Sequence, residues 1–179
     1  MVLYGMEGLT GQRQAYDLLA RAAKTHWGLS PLPDLDRGPH GKPFFAGQSG
    51  LEFNLSHSGT LALCALSGAP VGVDIQIIRS WRPGLPRRVC SGPELAWLEE
   101  SPDFWERFCR LWALKECLVK QRGTGLTRPI SGIRVPLPGE EDSLLEQDGL
   151  WFRTYRGEGW RGAACGLERP PENIQWITF

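Results

Sequence analysis

The sequence has no CxxC pair among its five cysteines (Cys64, Cys90, Cys109, Cys117, Cys165), and its three histidines (His26, His40, His57) are scattered. Ligand spacing therefore excludes a zinc site, and the odd cysteine number argues against a disulfide framework. The cysteines read as small buried apolar side chains of a reducing compartment. Net charge is missing too: 20 basic and 20 acidic residues cancel. That balance argues against general nucleic-acid or membrane binding. No apolar run is long enough for a transmembrane helix. The opening MVLYGMEGLTGQRQ lacks a basic stretch followed by an apolar one, which predicts no secretory leader and a cytoplasmic protein. Neither GxxxxGK[ST] nor GxGxxG occurs, so the P-loop and Rossmann fingerprints are absent.

What is present is ordinary globular chemistry. The 179 residues are 41% hydrophobic and 22% charged, enough for a real core, and eight are tryptophan. From Gln12 to Gly28, Ala15, Leu18, Leu19, Ala22, Ala23 and Trp27 repeat at a helical period. Three strand-like runs follow a Pro/Gly loop: Leu51–Leu55, Leu61–Leu66 and Val71–Ile77, separated by the turn-like SHSG and SGAP. These predict an antiparallel meander. After the connector RSWRPGLPRRVCSGPE comes a second helix, Asp103 to Gln121, then strands at Ile133–Val135, Leu150–Tyr155, Trp160–Leu167 and Ile174–Ile177. Helix, loop and meander thus occur twice. The expectation is an α+β fold of two similar lobes, residues 1–78 and 79–179, with a cleft between them.

Two segments carry chemistry. On the third strand, Gly72, Asp74 and Gln76 share one face, with the glycine allowing close backbone approach. That face suits either a hard cation or plain solvent. On the second helix, Phe104, Phe108, Leu111, Trp112, Leu118 and Val119 form an apolar arc with Lys115 near its middle, while Glu116 and Lys120 follow one flank. Lys115 can snorkel beside an exposed Glu116–Lys120 pair, or the helix can line a polar cleft. The loop Asn54 to Gly59 offers hydroxyls and an imidazole, a suitable place for an anion.

Taken in order, GKP, FNLSHSG, VGVDIQ and RLWALKECLVKQRGTGL resemble the 4′-phosphopantetheinyl transferase superfamily. The WxxKExxxK helix with GKP and SHS resembles its Sfp type, and the short chain ending in NIQWITF is most similar to compact AcpT-like bacterial members. The resemblance spans about residues 36–126. It implies a magnesium-dependent enzyme, a pseudo-twofold monomer, that moves phosphopantetheine from coenzyme A to a serine of an apo acyl or peptidyl carrier protein, releasing 3′,5′-ADP. It further implies that Asp74 and Glu116 hold Mg²⁺, with Gln76 weakly or through water. Lys120, supported by Lys115, would grip the pyrophosphate. Lys42 and Arg37 would meet the 3′-phosphoadenosine end, Arg13 its 3′-phosphate, and Asn54, Ser56 and His57 further phosphates. Glu116, directly or through water, would take the serine proton, with Lys120 as the second catalytic group. Glu94 in CSGPE resembles the glutamate of the family's FSxxE element. Where relatives often carry glutamate, this chain has Gln76. Two rivals are a degenerate module that only docks carrier proteins, and a hydrolase built on Ser56 or Ser58 with His57 and Asp74. Adjacent Ser and His do not easily face each other, and no GxSxG elbow occurs.

Overall fold

A computed structural model describes every residue except 12, 126, 128, 140–142 and 179. Gln12, the first residue of the expected leading helix, lies outside the described residues. Strand β1 (Val2–Met6) precedes helix α1 (Gln14–Trp27), which Gly28 closes in the left-handed conformation. A ribbon of β2 (Leu35–Arg37) and β3 (Pro43–Phe45) leads to β4 (Glu52–Ser58), β5 (Leu61–Ser67) and β6 (Val71–Ile77). Short helices α2 (Leu85–Val89) and α3 (Gly92–Glu99) connect to α4 (Phe104–Arg122). Then come β7 (Leu144–Gln147), β8 (Leu150–Gly157), β9 (Trp160–Gly166) and β10 (Gln175–Ile177).

The strands form two four-stranded sheets, ordered β10-β1-β5-β4 and β6-β9-β8-β7, beside the ribbon. The meander expected for β4, β5 and β6 is therefore corrected. The β4–β5 hairpin forms, but β6 pairs antiparallel with β9 in the other sheet. Ile133–Val135, expected as a strand, is irregular. The repeat that exists is strand, helix, hairpin: β1-α1-β4-β5 and β6-α4-β8-β9, each with its first strand antiparallel to its last. The expected division between residues 78 and 79 leaves β6 on the first side, whereas its ladder ties it to the second sheet.

Period-2 alternation divides the interior into three cores. Leu18, Leu19, Cys64 and Leu66 pack between α1 and the first sheet. Leu63, Ala65, Val73, Ile75 and Ala164 pack between the two sheets. Phe108, Leu111, Leu114, Leu118, Phe152 and Cys165 pack between α4 and the second sheet. The molecule is thus layered helix, sheet, sheet, helix. Among the described residues no helix is long and apolar enough to cross a membrane.

Gly72 sets the spacing of the last two layers. A Cβ there would overlap the Cys117 carbonyl oxygen and stand 2.6 Å from the Gln121 nitrogen, so α4 lies directly on the β6 backbone. Gly72→Ala should cost about 3 kcal/mol or more, the upper range of overpacking, because backbone rather than a flexible side chain must move. Gly92→Ala, where the added methyl meets nothing within 4 Å, is the matched control and should be neutral or stabilising. Urea unfolding of both checks this; a small Gly72→Ala effect would mean that the layers are not in contact.

Candidate active site

The face of β6 that carries Gly72, Asp74 and Gln76 turns toward α4, not toward solvent. Asp74 is 2% exposed. Its Oδ1 accepts from the Lys120 ammonium at 2.6 Å and the Ser56 hydroxyl at 2.8 Å, and its Oδ2 from the Gln76 amide at 2.7 Å. Lys120 also donates to the Ser56 oxygen at 2.9 Å and the Val73 carbonyl at 3.3 Å. Among the described residues its ion-pair partner is Asp74, not Glu116 one turn earlier. The Glu116 carboxyl is held above its ordinary pKa, first by burial and then by the charge of Asp74, against a pull from Lys120. The Asp74 charge thus reaches the Glu116 carboxyl on the facing helix. Among the described residues no cluster of three His, Cys, Asp or Glu side chains forms.

Strand β4 joins this site in an unexpected way. The SHS segment, expected as a turn, is the end of the strand, and the chain reverses at Gly59 and Thr60. β4 and β6 are edges of different sheets, and side chains take the place of a backbone ladder between them. The amides of Val73, Ile75 and Ile77 donate to Asn54 Oδ1 at 2.9 Å, Ser56 Oγ at 3.3 Å and Ser58 Oγ at 3.1 Å. The constant offset of 19 residues means that the two strands run parallel. These amides are the ones β6 turns away from β9, and a buried edge would otherwise leave them unpaired. The sequence signal was the alternation of Asn54, Ser56 and Ser58 with Phe53, Leu55 and His57, a strand period.

The expected phosphate-binding residues are partly assembled. A pocket of about 230 Å³ beside Lys120 is lined by His40, Lys42, Asn54, Leu55 and Gly123. The Lys42 ammonium reaches the Val71 carbonyl at 3.0 Å and that of Gln121, in the last turn of α4, at 3.4 Å; burial lowers its pKa. Arg37, on β2 opposite Pro43, donates to Gly41 O at 3.0 Å and reaches the Tyr16 hydroxyl at 3.5 Å. The Tyr16 backbone amide donates to the Arg13 carbonyl at 2.9 Å, and both arginines lie exposed near the start of α1. His57 is exposed on the opposite face of β4 from Ser56. That alternation separates the serine and histidine of the hydrolase reading.

Lys115 is not at this site. It is 1% exposed and neither snorkels nor faces the pocket. Its ammonium donates to the Glu94 carboxylate at 2.8 Å, the Val89 carbonyl at 2.9 Å and the Ile130 carbonyl at 3.1 Å. All three protons are spent tying α4 to α2, α3 and the following loop, so none is left for a phosphate. Glu94 also caps α3, accepting from the Ser91 amide.

The raised Glu116 pKa has a consequence for stability. Folded Glu116 keeps its proton to a higher pH than the unfolded chain does, so stability falls as pH rises between the two values. Glu116→Gln should melt above the parent at neutral pH without added metal. The gap should close below the ordinary glutamate range, as melting curves between about pH 4 and pH 8 will show. A variant that melts below the parent at neutral pH would contradict the carboxylate's placement.

Comparison with known proteins bears directly on this arrangement. The model of the 4'-phosphopantetheinyl transferase superfamily matches residues 70–165, from the residue before β6 to the last but one of β9. A 4'-phosphopantetheinyl transferase of Bacillus subtilis is 32% identical over 158 residues, covering 83% of this chain and 70% of the relative. The 4'-phosphopantetheinyl transferase AcpT of Escherichia coli is 44% identical over 119 residues, 63% of this chain and 60% of its own. The Sfp enzyme of Bacillus subtilis is 28% identical over 148 residues, 78% of this chain and 66% of its own. The matched family segment contains Asp74, Gln76, Glu116 and Lys120; Lys42 and Ser56 lie ahead of it.

Proposed function

Since the chain belongs to the 4′-phosphopantetheinyl transferase superfamily, we propose that it transfers phosphopantetheine from coenzyme A to a serine of an apo acyl or peptidyl carrier protein, releasing 3′,5′-ADP. The observation that supports this reading is the Asp74–Lys120 pair at a pocket walled by Lys42 and Lys120, with Glu116 on the same helix within reach of the Asp74 charge. In this reading the two halves act as a pseudo-twofold pair in a cytoplasmic monomer, with coenzyme A between β4, β6 and the end of α4. Lys42 and Lys120 meet its phosphates, and Arg37 and Arg13 lie at the rim on the nucleotide side.

The donor set fits magnesium. Asp74 and Glu116 offer hard oxygens, two carboxylates are the usual protein share of such a shell, and the pressure of Asp74 on Glu116 is the repulsion a divalent cation relieves. Bound there, magnesium would neutralise charge on the pyrophosphate under attack. The residues of the chain do the rest. Lys120 aligns the pyrophosphate, and Glu116, directly or through water, accepts the proton of the serine hydroxyl. The serine oxygen bonds to the phosphorus bearing the pantetheine, and the bond from that phosphorus to the nucleotide phosphate breaks.

Mass spectrometry of an apo carrier protein incubated with coenzyme A and Mg²⁺ tests the reaction. The wild type should add the phosphopantetheine mass, and Asp74→Ala and Glu116→Ala should each lose about a hundredfold or more in rate while remaining folded. Wild-type rates in either variant would refute the site. No transfer to any of several carriers would leave the docking reading, which the missing third carboxylate at Gln76 favours.

The partner is expected to be an acidic helical bundle. Arg87 and Arg88 are exposed on α2, and Arg79 lies 4.2 Å over the Trp81 ring nearby. Basic groups around apolar ones suit an acidic helix, and such rim charges act mainly on the on-rate. Reversing the charge at Arg87 and Arg88 should raise KM for the carrier and leave that for coenzyme A unchanged. Equal effects on both would argue against docking there.

A further inference from the structure

Three of this chain's own donors hold the Asp74 carboxylate. Lys120 and Ser56 hold Oδ1, Gln76 holds Oδ2, and Ser56 is itself fixed by the Ile75 amide at 3.3 Å. A cation approaching Asp74 meets an ammonium, a hydroxyl proton and an amide proton. The two charged partners differ in freedom: the Asp74 side chain is 3% exposed, that of Lys120 27%. Asp74 is locked in the strand, while Lys120 also lines the pocket shared with Lys42 and Asn54. A long lysine side chain at the edge of a pocket can swing its ammonium from one anion to another.

We propose that Lys120 is a displaceable counter-ion that keeps divalent metal off Asp74 until a pyrophosphate-bearing ligand in the pocket draws the ammonium away. Metal and ligand then bind cooperatively and in a preferred order, each raising the affinity of the other by the same factor. Gln76 is part of the device. Its amide donates to Asp74, which an ionised carboxylate at that position could not do, so it adds a third donor to the Asp74 carboxylate. This inference rests on the reading that Asp74 and Glu116 hold magnesium, and it concerns the order in which the site fills.

The test uses the full chain and Mn²⁺ as the probe, following free Mn²⁺ by electron paramagnetic resonance without carrier protein, corrected for Mn²⁺ held by coenzyme A in solution. Wild type should bind Mn²⁺ alone about tenfold or more weakly than with saturating coenzyme A. Lys120→Met should bind Mn²⁺ alone about tenfold or more tightly than wild type, and the gain from coenzyme A should shrink. Lys120→Arg, which keeps the charge, should bind Mn²⁺ alone as weakly as wild type. Lys120→Gln replaces Lys120→Met if melting curves show the latter unfolded. Equal Mn²⁺ affinity in wild type with and without coenzyme A would overturn the proposal, as would no gain in Lys120→Met. Calorimetry of coenzyme A in chelator and in Mn²⁺ separates the two levels. If coenzyme A binds but metal affinity is unlinked to it, the gate alone fails. If it binds under neither condition, the transferase reading fails and the gate with it.

Discussion

The close approach of α4 to β6 at Gly72 is the constraint on which the site depends. Side chains on one strand face recur every second residue and those on one helix flank every third or fourth, so two such elements meet over a short span only. With no Cβ at Gly72, the Cys117 carbonyl rests on the strand. One turn of α4 then falls over the next two residues of the same β6 face, which puts Lys120 within 2.6 Å of Asp74 and Glu116 close enough to feel its charge. A larger residue at 72 would push the helix outward and separate Asp74 on β6 from Glu116 and Lys120 on α4 before any chemistry was touched.

The second constraint is the seam between the sheets. Side-chain oxygens of β4 satisfy amides of β6 that no strand covers, and a buried unpaired amide costs about 1–3 kcal/mol. Ser56 does this for Ile75 and also holds Asp74 and Lys120, so one hydroxyl couples the joint between the halves to the charges of the site. Networks of this kind are either fully satisfied or damaging. Here every member has partners, which fixes the site geometry to the joint. The buried Lys115–Glu94 pair does the corresponding work on the far side of α4, holding the helix against α2 and α3.

The elements with strong periodicity were legible in the sequence: α1, α4, β5, β6, β8 and β9 lie within a few residues of where alternation or helical spacing put them. What alternation does not carry is the identity of a strand's neighbour. β6 shows the same apolar face whether it pairs with β5 or β9, and the structure pairs it with β9. Ser and His in SHSG are turn residues by composition, which hid their strand period, and β1, with its glycine and short length, gave no pattern to read. For the site, ordered motifs brought Asp74, Glu116 and Lys120 to attention; Lys120 bonds to Asp74, and Glu116 lies on the same helix within reach of the Asp74 charge. Lys115 was misjudged because the helical wheel shows only its own helix. Its partner Glu94 lies 21 residues earlier on α3.

In the proposed function Asp74 of β6 and Glu116 of α4 hold one divalent cation against the pyrophosphate of coenzyme A. A crystal structure with coenzyme A and Mn²⁺, the metal located by its anomalous signal, tests this most directly. The expected result is one peak bonded to oxygens of Asp74, Glu116 and the pyrophosphate, with Lys120 moved from Asp74 onto a phosphate. A metal bound elsewhere, or coenzyme A bound away from the β4–β6 seam with Lys120 still on Asp74, would contradict it.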